Sequence, residues 1–406
     1  MSWIQRRRAS GEEGRATTLE LFYDLVFVFA ITQVSHLLLN DLTWAGVGQS
    51  LLVLLVVWWS WNYTTWVTNE LDPETIPVRL LMIALMLASL LMAVAIPQAF
   101  GDRALLFVGS YVFIQVGRHT FLTFAAAEPG TIERERAGRI LTWFVAAGVF
   151  WFVGAFVDGP ARVAFWLVAL ALDYGGPLVT FRIPGLPRVA PEAWSIGTEH
   201  FTERFGLFII LALGESIVIT GATTSELDLD TARVAAFGMA FLATAALWWL
   251  YFSAVARIAQ RHLELSENRT LLARDAYTYL HVVIVAGVIV SAVGDELMIA
   301  HPMEVLPGSE VAAVVAGPAI YLLAHALFRL RMAGSVSWRR LGGALACLAT
   351  ALIGAFVPAL VVGALLNAVL VAVIGSEYVA AARRRAGGEP SPLELLEAAA
   401  GQDGDS

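Results

Sequence analysis

Long apolar segments dominate this sequence and restrict what the chain can fold into. Twelve of them occur, at about 19–39, 48–67, 78–99, 104–126, 139–157, 161–181, 200–221, 233–256, 275–298, 311–330, 340–357 and 359–381. A helix needs roughly 20 residues, at about 1.5 Å each, to cross a bilayer. Only 15% of the residues are charged, whereas a soluble domain has about 25%. The sequence therefore predicts an all-α polytopic membrane protein with about 12 transmembrane helices.

The arginines predict the orientation of these helices. An even number of spans leaves both termini on one side of the membrane. All 26 basic residues are arginine; 21 of them lie on the side of the termini, Arg118 and Arg204 lie within spans, and only Arg103, Arg162 and Arg233 lie on the other side. Because basic residues accumulate in cytoplasmic loops, we expect cytoplasmic N- and C-termini. Residues 1–18 contain no apolar core, so no cleavable signal peptide is expected.

Short motifs recur in the same order in the two halves of the chain. The matching pairs are Glu20-x-Phe22 with Glu203-x-Phe205, Trp58-Trp59 with Trp248-Trp249, Gly154–Val157 with Gly354–Val357, and Asp173-Tyr174 with Glu377-Tyr378. With six spans per copy, both copies enter the membrane from the same side, which predicts two parallel six-helix repeats. The expected boundaries are a cytoplasmic N-terminal segment at 1–18, the first repeat at 19–181, a cytoplasmic linker at 182–199, the second repeat at 200–382 and a disordered cytoplasmic tail at 383–406.

Two stretches resemble a known family. They are E-L-F-Y-D-L-V-F-V-F-A-I-T-Q at 20–33 and H-F-T-E-R-F-G-L at 200–207, the second followed by A-L-G-E-S at 212–216. Both are similar to signatures of the bacterial low temperature requirement A (LtrA) membrane proteins. The resemblance covers nearly the whole chain and implies a multi-pass protein of the bacterial cytoplasmic (inner) membrane. More distantly, F-Y-D-L-V-F-V-F-A-I-T at 22–32 is similar to the first helix of the two-repeat endolysosomal potassium channels, with Tyr23 where that family has Ser and Leu25 where it has Gly.

Ionisable residues inside the predicted spans are the candidates for a transport path. Glu20 and Asp24 are one turn apart, and Arg118 lies at a similar depth, so we expect Asp24 to pair with Arg118 or with a basic group of the second repeat. Glu215, near the middle of span seven, should face the protein interior on the same stripe as Arg204. The full set of pore or transport candidates is Glu20, Asp24, Thr32, Arg118, His200, Glu203, Arg204, Glu215 and His325. The alternative is that these charges only hold helices together.

Other features have simpler explanations. The aromatic residues Trp58, Trp59, Trp61, Tyr63 and Trp66 are expected to form a belt at the membrane surface. Asp295 and Glu296 lie near the outer end of span nine, where contact with solvated headgroups would suffice. No metal site is indicated, because His200 and Glu203 supply at most two ligands from one helix face and the chain has a single cysteine.

Three functional hypotheses follow. The preferred one is a conduit or secondary carrier for a small cation or a proton-coupled solute, with spans one and seven lining the path. The second is a structural membrane protein that supports growth in the cold, and the third is a membrane-embedded lipid-modifying enzyme that uses His200, Glu203 or Glu215. Under the preferred hypothesis we expect no enzymatic activity, no cofactor and no nucleic-acid partner. The expected partners are the lipid bilayer and a small cation or proton.

Overall fold

Helices make up the regular structure of the computed structural model, which describes residues 15–189, 194, 196–253 and 255–404. In chain order they are α1 (Thr18–Asn40), α2 (Trp44–Thr68), α3 (Ile76–Gln98), α4 (Ala104–Ala126), α5 (Ile132–Ala155), α6 (Gly159–Leu178), α7 (Thr198–Glu226), α8 (Thr231–Phe252), α9 (Val255–Leu265), α10 (Arg269–Ala300), α11 (Gly308–Ala333), α12 (Trp338–Ala349), α13 (Ala351–Gly354), α14 (Ala359–Ala386) and α15 (Pro392–Gly404). No β-strand occurs in the described ranges. Helices α4 and α10 widen into π-helical turns at Leu122–Ala126 and Arg274–Leu280.

Within the described residues, ten helical segments are long and apolar enough to cross a membrane. They are α1 to α5, α7, α8 together with α9, α10, α11 and α14. The predicted fold class, an all-α polytopic membrane protein, is confirmed. The sixth and eleventh predicted spans are the two that fall outside this set, and the predicted pair of repeats stays a prediction.

The two remaining segments differ from the ten for separate reasons. Helix α6 has 20 residues, but Arg162, Asp173 and a Gly-Gly-Pro sequence make it less apolar. The eleventh segment is divided, because α12 has 12 residues and α13 only four. The division lies at Thr350, whose hydroxyl donates to the Cys347 carbonyl at 2.6 Å. Hydroxyl bonds of this kind can bend a helix.

The internal contacts of the chain define two compact units. One contains the chain up to Leu37 together with Gly46–Arg204, and the other contains Leu38–Ala45 and the chain from Phe205 onward. Helices α3 to α6, most of α1 and α2 and the first turns of α7 therefore belong to the first unit. The boundary between these units falls inside α7, and the predicted repeat boundaries, with the linker at 182–199, stay a prediction.

The second unit contains a close helix pair, α10 and α11, whose approach depends on glycine. A Cβ added to Gly317 would lie 2.4 Å from the Ser291 backbone nitrogen, and one added to Gly287 would lie 2.7 Å from the Tyr321 nitrogen. Real Cβ atoms do not approach other atoms so closely. The small residues let the two backbones meet as in other membrane helix pairs.

The aromatic cluster of α2 corrects one prediction. Trp58, Trp59 and Trp61 are at most 1% exposed, and Tyr63 is 7% exposed. They are core residues of the first unit, so they do not form a surface belt. The Trp59 ring stacks on Tyr174 with centroids 3.8 Å apart. For these four residues the belt interpretation was wrong because it used position along the helix alone, while their side chains face other helices; Trp66, the fifth, is half-buried.

The predictions for the two ends of the chain have different outcomes. Most of the N-terminal segment, residues 1–14, lies outside the described residues. In the tail, where disorder and at most one short helix were expected, α14 continues to Ala386 and α15 follows. A capping box begins α15: the Ser391 N–H donates to Glu394 Oε2 at 2.6 Å, and the Glu394 N–H donates to Ser391 Oγ at 3.2 Å.

Candidate functional site

Helix α1 begins with a capping box that places a carboxylate inside the protein. The Thr17 backbone N–H and hydroxyl each donate to Glu20 Oε2 at 2.9 Å, and the Glu20 N–H donates to Thr17 Oγ1 at 3.3 Å. The reciprocal bonds satisfy donors that the first helical turn cannot use. Glu20 is 0% exposed. A carboxylate so completely buried needs further partners within the protein.

One of those partners is His200 in the first turn of α7. His200 Nε2 lies 3.0 Å from Glu20 Oε1 and 3.1 Å from Oε2, so the imidazole faces both carboxylate oxygens. The other ring nitrogen, Nδ1, lies 3.1 Å from Nδ2 of Asn69, just beyond the end of α2. His200 thus connects the starts of α1 and α7 with the end of α2.

Asn69 determines which nitrogen of His200 carries the proton. The Gly197 N–H donates to Asn69 Oδ1 at 2.8 Å, and Asn69 Nδ2 donates to the Gly197 carbonyl at 3.1 Å. These two bonds fix the orientation of the amide, so it is Asn69 Nδ2 that faces the imidazole. Because this group can only donate, His200 Nδ1 accepts and Nε2–H donates to Glu20. In this arrangement the imidazole is neutral.

A second pair lies one turn further along both helices. Arg204 Nη2 donates to Asp24 Oδ1 at 2.6 Å, and both side chains are 0% exposed. The indole N–H of Trp61 donates to the same oxygen at 2.8 Å. Among the described residues, Asp24 Oδ2 and the Nε and Nη1 atoms of Arg204 have no hydrogen-bond partner. The pair is therefore charge-compensated but keeps unused hydrogen-bonding capacity.

Arg118 forms a neighbouring network without a carboxylate. Its Nη1 donates to Thr64 Oγ1 at 2.7 Å and to the Ser60 carbonyl at 3.2 Å, while Nη2 donates to the Gln115 side-chain oxygen. The Tyr23 hydroxyl also donates to Thr64 Oγ1, at 2.8 Å. Arg118 is 0% exposed, and no ion pair joins it to a carboxylate among the described residues. Asp24 accordingly pairs with the second of the two predicted partners, a basic group from the chain segment 200–382.

The other predicted residues of α1 and α7 have varied surroundings. The Thr32 hydroxyl donates to the Val28 carbonyl of its own helix at 3.1 Å. Glu203 Oε2 accepts the Ala16 N–H at 2.6 Å. Glu215 is 6% exposed, which confirms the prediction that it faces the interior. The structure brings Glu20 together with His200, and Asp24 together with Arg204.

The second unit holds the last predicted residue, His325 of α11. It is 0% exposed, and neither ring nitrogen has a hydrogen-bond partner among the described residues. Its ring centroid lies 5.6 Å from that of Tyr251 and 4.5 Å from that of Tyr321. The Tyr251 hydroxyl lies 2.9 Å from His281 Nε2, and His281 stacks on the ring of Tyr277. His325 therefore belongs to an aromatic core and, like Arg118, forms no ion pair among the described residues.

Sequence reasoning missed the neutral members of the site. Trp61 was assigned to a surface belt, and Asn69, Thr64 and Gln115 were not singled out. A usable signal was present, because α2 carries Ser60, Asn62, Thr64 and Thr65 around Trp61 in an otherwise apolar span. Polar residues inside a membrane helix face partners rather than lipid.

Residues 15–375 match the family described as bacterial low temperature requirement A protein (LtrA). The chain belongs to this family. An uncharacterized protein of Rhizobium meliloti (strain 1021) is 35% identical over 382 residues, which cover 93% of this chain and 92% of that protein. No solved structure matches.

The two LtrA signature stretches are the segments that build the charge cluster. Glu20 and Asp24 come from the first, and His200 and Arg204 come from the second. In each stretch the two residues are four apart, so they lie on one helix face. The spacing explains why the stretches form two matched pairs, Glu20 with His200 and Asp24 with Arg204. We refer to these four residues as the charge cluster.

Proposed function

We propose that this LtrA protein is a membrane conduit or secondary carrier for a small cation or a proton-coupled solute, with α1 and α7 lining the path. The supporting observation is the charge cluster: a neutral histidine hydrogen-bonded to a carboxylate, one helical turn from a fully buried Asp24–Arg204 pair. Ionisable residues within membrane helices commonly mark ion pathways and proton relays. Histidine is the side chain whose charge changes most readily near neutral pH.

The hydrogen bonds of His200 would couple the uptake of a proton to movement of the start of α7. A second proton would enter at Nδ1, where the nitrogen now accepts from Asn69. Two N–H groups cannot bond each other, so the contact with Asn69 would break while the contact with Glu20 would become an ion pair. Because Asn69 also holds Gly197 immediately before α7, protonation would release the start of α7 from the end of α2.

The second pair of the cluster gives the path its charge selectivity. Arg204 repels a cation, and Asp24 attracts one through the oxygen that is not bonded to Arg204 or Trp61. Breaking such a buried pair leaves an uncompensated charge and costs about 3–5 kcal/mol. Passage of a cation would therefore require Asp24 to exchange Arg204 for the cation, with a local rearrangement of α7.

A flux measurement in proteoliposomes tests the proposal. The wild-type protein should carry a monovalent cation or protons down an imposed gradient, and Asn69→Asp should shift the pH dependence of that flux, because a carboxylate accepts from protonated Nδ1. Glu20→Gln should reduce the flux severely. The matched control is Glu199→Gln, an exposed carboxylate next to His200. A wild-type protein that carries no ion under any gradient would overturn the proposal.

Glu215 supplies a second, independent test of the path. It lies near the middle of α7 and is buried, so proton or cation coordination is its proposed role. Glu215→Gln keeps the shape of the side chain and removes its titration. We expect a loss of flux or of its pH dependence in the folded variant. Unchanged flux would assign Glu215 a purely structural role.

A structural role is the second candidate, and the pairing within the cluster favours it. Glu20 caps α1 through Thr17, and each of the four charge-cluster residues has a partner inside the first unit. Such contacts can hold α1, α2 and α7 together without any transport. In that case cluster variants would lower the thermal stability, while no preparation, wild-type or variant, would show flux.

We also propose that both termini are cytoplasmic and that the protein resides in the bacterial inner membrane. The arginine distribution supports this orientation. The charge cluster lies near the N-terminal ends of α1 and α7, so it would then lie toward the cytoplasm.

A further inference from the structure

A small cavity lies inside the second unit, among α8, α10, α11 and α14. Its polar lining includes Ser291 and Asp295 on α10 and Asn367 on α14, while the remaining lining is largely apolar. Ser291 and Asp295 are four residues apart and therefore share a face of α10. The centre of a water-sized sphere can occupy about 20 Å³ of this cavity. One water molecule or one small ion needs about 10–15 Å³ by this measure, so the cavity admits a single such particle and no organic solute.

Asp295 is the only acidic residue of the cavity lining. It has no hydrogen bond or ion pair with any residue that the structure describes. The next residue, Glu296, differs because its Oε1 accepts a hydrogen bond from the Thr223 hydroxyl at 3.1 Å. A carboxylate within a membrane helix is costly unless a partner compensates it. The cavity beside Asp295 is where such a partner can lie.

Ser291 provides a second polar group that points to a ligand. It is only 6% exposed, and its Oγ has no hydrogen-bond partner among the described residues. A serine within a helix usually donates to a carbonyl of its own preceding turn. Here the hydroxyl makes no such bond, and Gly317 of α11 packs directly against it, since a Cβ at Gly317 would lie 2.5 Å from Ser291 Oγ.

Asn367 offers an oxygen whose orientation is fixed. Its Nδ2 lies 3.1 Å from both the Met239 and the Gly363 carbonyl oxygens. Two acceptors at this end require that the nitrogen, and not the oxygen, faces them. The amide oxygen is thereby turned away from these carbonyls, and no described residue donates to it.

A backbone oxygen completes the set. Pro318 lies within α11 and lines the cavity together with Val314. Proline has no N–H, so the Val314 carbonyl lacks the donor that it would have four residues later in a regular helix. Helix interruptions at membrane depth commonly free carbonyls that coordinate ions.

We propose that this cavity binds one monovalent metal cation of the size of Na⁺, coordinated by the Asp295 carboxylate, the Ser291 hydroxyl, the Asn367 amide oxygen and the Val314 carbonyl. One carboxylate neutralises one positive charge, whereas a divalent ion would leave an uncompensated charge in apolar surroundings. Mg²⁺ would also retain several waters, for which there is no room. Soft metals prefer sulfur or imidazole ligands, and the described lining offers only one of these, the neutral thioether of Met298, against four oxygen donors.

The proposal is independent of transport through the charge cluster, since a cation can bind here whether or not any ion crosses the membrane. It is also distinct from the four residues of that cluster, none of which lines the cavity. Binding is therefore measured on the purified full-length protein in detergent, without a gradient.

The test measures binding of radioactive Na⁺ and the Na⁺-dependent rise in melting temperature, with choline chloride keeping the ionic strength constant. Wild-type protein and the control Glu296→Gln should show saturable binding. Asp295→Asn should abolish it, and Ser291→Ala should weaken it about tenfold, the loss expected for one good ligand. If Asp295→Asn does not fold, the Na⁺ affinity of Ser291→Ala alone tests the proposal.

Three results would overturn the proposal. One is the absence of a saturable effect of Na⁺, Li⁺ or K⁺ on the wild-type protein. Another is saturable binding that Asp295→Asn and Ser291→Ala leave unchanged, which would place the cation elsewhere. The third is a response to pH alone, without competition between Na⁺ and protons, which would make the cavity a proton site.

Discussion

At the scale of single residues, the cost of burying charge determines what the sequence can predict. Asp24 was expected to have a basic partner because an unpaired carboxylate in a membrane helix is costly, and the structure places it 2.6 Å from Arg204. Depth alone could not choose between Arg204 and Arg118, since both arginines lie at suitable heights. The direction in which the side chains point selects Arg204 as the partner. This direction depends on which helices are in contact, and the sequence alone does not give it.

The Asp24–Arg204 pair gives the first stability prediction. Asp24→Leu or Arg204→Met alone should lower the free energy of unfolding by about 3–5 kcal/mol, because each leaves a buried charge without its partner. The double variant should regain much of this loss. Thermal or denaturant unfolding in detergent measures the three values, with Glu199→Gln as the control. Additive losses in the double variant would show that the two charges are not coupled.

At the scale of helices, span positions were predictable from hydropathy, while their ends and interruptions were not. The apolar runs locate the ends of α1 to α4 to within four residues, whereas α5 begins at Ile132 and not at 139, and α14 ends at Ala386 and not at 381. The division between α12 and α13 at Thr350 leaves no signal in the apolar sequence. The close α10–α11 contact likewise depends on which glycines face each other, and residue spacing alone does not specify the partner helix.

The start of α1 can be tested through its capping box. Thr17→Ala removes the hydroxyl that donates to Glu20 and accepts the Glu20 N–H. We expect a loss of about 1 kcal/mol in unfolding free energy, the usual value for an N-cap threonine. Thr18→Ala is the matched control, because that neighbouring threonine is exposed. Equal melting temperatures for the two variants would contradict the capping role.

The α10–α11 contact gives a prediction at the same scale. Gly317→Ala would place a Cβ 2.4 Å from the Ser291 nitrogen, so the two helices must separate. Overpacking of this kind costs about 1–3 kcal/mol. Gly238→Ala on α8 is the control, because no atom lies within 4 Å of a Cβ there. Circular-dichroism melting should show a destabilised Gly317→Ala and a nearly unchanged Gly238→Ala.

At the scale of the whole molecule, the decisive question is whether α6 crosses the membrane. If α6 does not cross, every span from α7 onward has the opposite orientation to the one predicted. If the α12–α13 segment does not cross either, α14 regains its predicted orientation. Helix α9 and the start of α10 would then carry Arg257, Arg261, Arg269 and Arg274 to the outer side, against the usual distribution of positive charge. The charges of α6 do not prevent a crossing, since Tyr111 and Trp151 both donate to Asp173, at 2.7 and 2.9 Å.

Cysteine accessibility distinguishes the two topologies, because Cys347 is the only cysteine and can be replaced by alanine. Single cysteines are introduced at exposed loop positions and labelled in intact cells with a membrane-impermeant maleimide. Thr43→Cys should be labelled and Glu128→Cys protected, whichever topology holds, since both precede α6. If α6 crosses, as we predict, Asp228→Cys is labelled and Glu267→Cys is protected. The reverse pattern at these two positions, with the Thr43 and Glu128 references unchanged, would remove α6 from the membrane.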